Sequence, residues 1–134
     1  MSVTTWDPTQ PSGESASQPD LARVRAWAAT AWTNEQALTA LTDDDRNSLK
    51  AWITLDWTIW EPVITQLTAN ELCHLMQLMT LAESHIGGCD AGAKSTVIHA
   101  FRQHKSKFGA PDKELVRWIK ANTQNRFLPY GPVL

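Results

Sequence analysis

One segment limits what this chain can fold into more than any other. From residue 71 to 86 it reads ELCHLMQLMTLAESHI, the most apolar stretch of the sequence. Leu72, Leu75, Met76, Met79, Ala82 and Ile86 recur at three- and four-residue spacing, and Leu78 and Leu81 widen that stripe. A helix apolar over so much of its circumference has to be enclosed by other elements. Thr68-Ala69-Asn70-Glu71 ahead of it is a capping box, in which a threonine hydroxyl and a glutamate reciprocally satisfy backbone N–H groups. Gly87 behind it is a natural helix stop. The expected fold is therefore all-α, a single-domain bundle of five or six short helices around a central helix over about 69–86, with no sheet.

The remaining segments supply those surrounding helices. Asp20 caps a helix expected to run to about Trp32, with Leu21, Val24, Trp27, Ala28 and Ala31 facing inward. A short helix follows over about 35–41. Thr42-Asp43-Asp44-Asp45 is a cap with carboxylates in the first turn, where the helix dipole favours them. The helix it opens carries Leu49, Trp52, Ile53, Trp57 and Trp60, and Pro62 should kink or end it near Trp60. Ser95 starts a helix to about 107, with Val97, Ile98, Phe101 and Phe108 inward. Pro111 sits at the first position of a last helix holding Leu115, Val116, Trp118 and Ile119. Residues 1–19 read as a flexible arm, because Pro, Ser, Thr, Gln and Gly leave too little apolar surface to offset ordering. The tail after Asn122 cannot continue as helix past Pro129, and Phe127, Leu128 and Tyr130 suggest that it packs back.

Charge divides the 134-residue chain. Residues 1–93 carry four Lys/Arg against twelve Asp/Glu, a net of −8, while residues 94–134 carry eight against two, a net of +6. The chain thus reads as an acidic, tryptophan-rich part over 20–86, a glycine-rich loop over 87–94, and a basic helical pair with tail over 95–134. An anionic partner, packing between unlike halves, or a homo-oligomer that pairs unlike faces would each use such a split. Two cysteines give no disulfide framework, residues 1–20 lack the features of a secretory signal, and no apolar run is long enough to span a membrane. Cytoplasmic placement with free thiols is the expectation.

Four chemistries are weighed against this background. The loop Gly87-Gly88-Cys89-Asp90-Ala91-Gly92-Ala93-Lys94-Ser95 approaches a nucleotide-binding pattern, and Gly87, Gly88, Gly92, Lys94 and Ser95 would form its anion cradle. Ala93 breaks the spacing, Asp90 adds a negative charge, and the preceding element is a helix rather than a strand, so a tight helix–helix corner explains the loop better. The basic residues Lys94, Arg102, Lys105, Lys107, Lys113, Arg117, Lys120 and Arg126 could contact a partner or nucleic acid. The pair over 95–122 superficially resembles a helix-turn-helix with Gly109 in the turn, but Pro111, Asp112 and Glu114 occupy the end that should face bases. His85, Cys89, His99 and His104 are the best set for a metal, yet His99 and His104 stand about 140° apart around a helix, and no metal or cofactor is expected. For nucleophilic catalysis, Cys73 and His74 are adjacent and point to different sides, while Cys89 could meet His85 or His99 without any supporting signature. Asp56, among Trp52, Trp57 and Trp60, is the acid expected to receive an indole N–H.

The leading expectation is a non-enzymatic protein-binding module, such as a small adaptor, inhibitor or accessory factor, using the basic C-terminal face. The alternative is a nucleic-acid-binding protein using the helix pair at about 95–122. A third is a small-ligand or anion-binding protein, or an enzyme, centred on the loop 87–95.

Overall fold

The computed structural model describes residues 18–89, 91 and 95–123. The arm up to residue 17, Asp90, Gly92, Ala93, Lys94 and the tail from 124, with Arg126, lie outside the described residues. Among those described, six α-helices and one 3-10 helix occur and no strand does: α1 Leu21–Ala28, the 3-10 helix Glu35–Ala40, α2 Asp43–Trp52, α3 Trp57–Ile64, α4 Ala69–His85, α5 Thr96–Phe108 and α6 Lys113–Asn122. The described fold is all-α.

The apolar helix is the centre of this arrangement. Helices α1, α5, α6 and the 3-10 helix all pack on α4, while α3 packs on α5. Leu72, Leu75, Met76, Leu78, Met79, Leu81 and Ala82 of α4 have no exposed surface. Bonds between helices give their directions. The Ala28 carbonyl accepts from His74 Nδ1 at 2.7 Å, and the Trp32 backbone N–H donates to Gln77 Oε1 at 3.0 Å, so α1 and the segment after it run parallel to α4. Ser84 Oγ donates to the Asn122 carbonyl at 2.9 Å, while Asp112 lies close enough to Cys73 to influence its thiol, so α6 is parallel to α4 as well. Ser95, at the start of α5, meets Glu83, near the end of α4, so α5 runs back along it.

The helix starts expected at Asp20, Thr42, Thr68 and Ser95 carry their caps. Thr42 with Asp45, and Thr68 with Glu71, form complete capping boxes. Asp20 accepts from the Arg23 N–H, and Ser95 Oγ accepts from the Val97 N–H. Boundaries and facing directions differ in four places. Helix α1 stops at Ala28 rather than near Trp32, because the Trp32 indole N–H donates to the Trp27 carbonyl at 2.7 Å and takes the acceptor that the next helical turn would need; Ala31 is consequently exposed. The helix opened at Thr42 ends at Trp52 and a new one begins at Trp57 with Asp56 as its N-cap, so Pro62 lies inside a short second helix rather than ending a long one. Pro111 precedes the N-cap Asp112 and is not itself the first helical residue. Phe108 is 43% exposed instead of inward, because it ends α5; it packs its ring against His104 at 5.7 Å and lies 5.4 Å beneath the Lys107 ammonium.

Tryptophans tie the acidic half together. Trp60 has no exposed surface and donates its indole N–H to the Trp52 carbonyl at 2.9 Å, and the Trp27 and Trp52 rings lie 5.6 Å apart. The acid that receives an indole is Asp45, not Asp56: Trp27 Nε1 reaches Asp45 Oδ1 at 3.1 Å, and Arg23 reaches the same oxygen at 2.9 Å. Asp56 makes no side-chain capping bond.

Burial pushes the Asp45 carboxyl pKa up, but bonds from the Thr42 N–H, the Trp27 indole and the Thr42 hydroxyl, with the Arg23 charge, together hold it below its ordinary value. A depressed carboxylate pKa stabilises the fold above the unfolded-state value and loses that contribution as pH falls through the folded one. Asp45→Ala is expected to cost about 2 kcal/mol near neutral pH, since a cap and two side-chain bonds go together. Below about pH 4, where an unfolded aspartate also protonates, the deficit relative to wild type should shrink. Urea unfolding across pH checks both statements.

Candidate functional site

Of the eight basic residues singled out in the sequence, six are described, and they fall on two helices. Lys113, Arg117 and Lys120 are spaced four and three residues apart, which places them within about 60° of one another around α6. All three are exposed. The opposite side of the same helix carries the buried Leu115 and Ile119, which fixes the basic stripe outward. Arg117 pairs with Glu114 at 3.1 Å, both largely solvated, and neither Lys113 nor Lys120 has an ion-pair partner among the described residues. On α5, Arg102 and Lys105 project on one side and Lys107 is turned about 140° from Arg102. No Asp or Glu occurs within Thr96–Phe108. Although consecutive, α5 and α6 make little contact with each other and pack separately on α4.

Of the glycine loop, Gly87, Gly88, Cys89, Ala91 and Ser95 are among the described residues. Gly88, at φ 89°, adopts the left-handed conformation that favours glycine and lies beside the Lys50 side chain; Gly87 and Gly88 are both exposed. Gly92 and Lys94 lie outside the described residues. Ser95 is fully buried, and its hydroxyl donates to the Glu83 carboxylate while accepting from the Val97 N–H. The positive end of the α5 dipole therefore already faces a carboxylate of the chain itself. Cys89 is buried in the core.

Three of the four histidines serve as backbone staples. His74 Nδ1 lies 2.7 Å from the Ala28 carbonyl, His104 Nδ1 2.7 Å from the Gly109 carbonyl, and His99 Nε2 3.1 Å from the Leu55 carbonyl. A carbonyl only accepts, so each of these nitrogens carries the proton. His85 Nδ1 lies 3.5 Å from Glu35 Oε2. Among the described residues no group of three His, Cys, Asp or Glu side chains is arranged to hold a metal. Burial, reinforced by Asp112, pushes the Cys73 thiol up, away from the thiolate that nucleophilic chemistry needs.

A groove of about 370 Å³ lies between the start of α3 and the outer side of α5, lined by Trp57, His99, Arg102, Gln103 and Ser106. Thr96 Oγ1 donates to the Ile53 carbonyl at 3.0 Å, and with the His99–Leu55 bond this ties α5 to the break between α2 and α3 and sets Trp57 against it. The Trp57 and His99 rings lie 5.9 Å apart, inclined at 55°. Burial pushes the His99 imidazole below its ordinary pKa, and the Arg102 charge adds to this, against the Leu55 bond and Asp56. Trp27, Trp32, Trp60 and Trp118 all donate their indole N–H to oxygen acceptors, whereas the indole N–H of the half-buried Trp57 has no acceptor among the described residues. Of the lining residues, Arg102 stands out in the sequence by its charge, and Trp57 and His99 by other roles; Gln103 and Ser106 carry no mark of their own. The polar spacing of His99, Arg102, Gln103 and Ser106, at i, i+3, i+4 and i+7, marks one helix face and is the signal that could have grouped them.

Comparison of the chain with protein-family models, curated proteins and solved structures returns no match. Among the described residues no helix is long and apolar enough to cross a membrane.

Proposed function

We propose that this chain is a non-enzymatic protein-binding module, an adaptor, inhibitor or accessory factor, that works in the cytoplasm and meets an acidic protein surface with the basic faces of α5 and α6. The observation that carries this reading is the outward stripe Lys113, Arg117 and Lys120, held in place by the burial of Leu115 and Ile119 on the opposite side of the helix. A rigid helix with one packed face presents its charges in a fixed pattern, which favours electrostatic selection of a complementary partner. The nucleic-acid alternative has less support. A reading helix enters the groove with its N-terminal residues, and here Asp112 and Glu114 stand at that end. The close packing of two consecutive helices that the motif relies on is also weak between α5 and α6.

The test is charge reversal on α6. The variant K113E/R117E/K120E should bind an acidic polypeptide such as polyglutamate at least about tenfold more weakly than wild type at low salt. Its thermal midpoint should stay close to wild type, because exposed charges contribute little to stability. Tighter binding of wild type to a short DNA duplex than to the polypeptide, with a steep loss as salt rises, would overturn the reading in favour of nucleic acid.

A further inference from the structure

We infer that the groove between α3 and α5 is a docking site for a short extended segment of an acidic partner protein, with an aromatic residue of that segment against Trp57 and His99 and a carboxylate on Arg102. This rests on the reading of the chain as a protein-binding module and names the partner chemistry for one part of its basic face.

Shape, unused polar groups and charge support this occupant. His99 and Ser106 are seven residues apart on α5, so the groove follows the helix for about 10 Å, the span of about three extended residues. Its wall offers a half-buried indole whose N–H has no acceptor among the described residues, next to an imidazole already fixed by Leu55. Tryptophan in that state suits an anchor site, where a partner's ring adds apolar area and a partner's carbonyl can take the N–H. Arg102 is the one fully charged lining residue, is exposed, and has no ion-pair partner among the described residues. Its planar guanidinium accommodates a carboxylate through two parallel N–H···O bonds.

The surroundings set the register of the bound segment. Asp56 stands at the N-cap position of α3 beside Trp57 and acts on His99, and Glu61 follows Trp57 by one helical turn. These carboxylates disfavour an acid at the Trp57 end. The aromatic residue therefore belongs there, and the acidic residues belong toward Arg102, Gln103 and Ser106, whose amide and hydroxyl can bond the segment's backbone.

The experiment follows the Trp57 indole N–H resonance, assigned with W57F, in the full chain. The probe is the acetylated, amidated tetrapeptide Phe-Gly-Glu-Glu, compared with Phe-Gly-Lys-Lys, Gly-Gly-Glu-Glu and phenylacetate alone. The expected result is a saturable shift with the first peptide and at least about tenfold weaker binding of each of the other three. R102E should weaken the first peptide at least about tenfold, while K113E/R117E/K120E should leave its affinity within about twofold. No saturable shift, an equal response to the lysine peptide, or unchanged binding by R102E would overturn the inference. Phenylacetate binding as tightly as the peptide would overturn it in favour of a small aromatic acid. If the groove fails while the α6 variant still loses the acidic polypeptide, the module reading stands without it. If the α6 variant loses nothing while R102E loses the peptide, the α6 surface is what fails.

Discussion

Trp60→Ala is expected to cost about 3–5 kcal/mol, the largest loss from any single truncation of an aromatic residue in this chain. The side chain has no exposed surface, and its indole N–H is the donor to the Trp52 carbonyl. Truncation leaves a cavity in the core and removes the donor that joins α3 to the end of α2 across the break between them. Because small proteins are held together by only about 5–15 kcal/mol in total, the variant should unfold at a much lower urea concentration with little change in the slope of its transition. Trp57→Ala is the contrast. Half-buried and with no acceptor for its indole N–H among the described residues, Trp57 should cost less than about half as much, and its replacement should act on the groove rather than on the core.

Ser95→Ala is expected to cost about 2–4 kcal/mol. Removing the hydroxyl takes away the cap of α5 and a bond to the buried Glu83 carboxylate in one step. A carboxylate that loses a donor while it stays buried is more expensive than a lost neutral bond. Pairing Ser95→Ala with Glu83→Gln should therefore cost less than the sum of the two single changes, because the neutral amide tolerates the loss better. Urea unfolding of the two single variants and the double variant gives the coupling directly. Additive effects would show that the two side chains act independently.

Those two predictions mark where the sequence was informative and where it was not. Capping boxes and the apolar helix are local patterns, and Thr42, Thr68, Ser95 and the span around 69–86 were legible because each cap is written within three residues of its helix; the left-handed glycine after the apolar helix is Gly88 rather than Gly87. The break after Trp52 was not. Leu49, Trp52, Ile53, Trp57 and Trp60 keep helical spacing straight across it, so periodicity runs on where the backbone does not; Asp56 ahead of Trp57 was the local hint of a new start. Bonds between distant elements were invisible for another reason. That Asp45 rather than Asp56 receives an indole depends on how α1 meets α2, and that Ser95 answers Glu83 on how α5 packs against α4; neither residue carries a mark of its partner.

The candidate site divides in the same way. The stripe Lys113, Arg117 and Lys120 could be read from charge and spacing on one helix. The groove draws on two helices, and only its Arg102 stood out by charge. His99 attracts attention as a metal ligand; its Nε2 bonds the Leu55 carbonyl and its ring lies against Trp57. In the conspicuous glycine loop, Gly88 takes a left-handed turn beside Lys50, and Ser95 at the loop's end bonds the chain's own Glu83. On the proposed reading, the acidic, tryptophan-packed part is the support and the basic helices are the surface that meets a partner.

The most direct test of that division is site-specific photo-crosslinking in cells, with a photoreactive residue in place of Glu114, beside the basic stripe, or of Asn47, on the exposed side of α2. The account predicts discrete protein adducts from position 114, lost when Lys113, Arg117 and Lys120 are reversed in charge, and none from position 47. Equal adducts from both positions, or adducts at 114 that disappear on nuclease treatment, would contradict it.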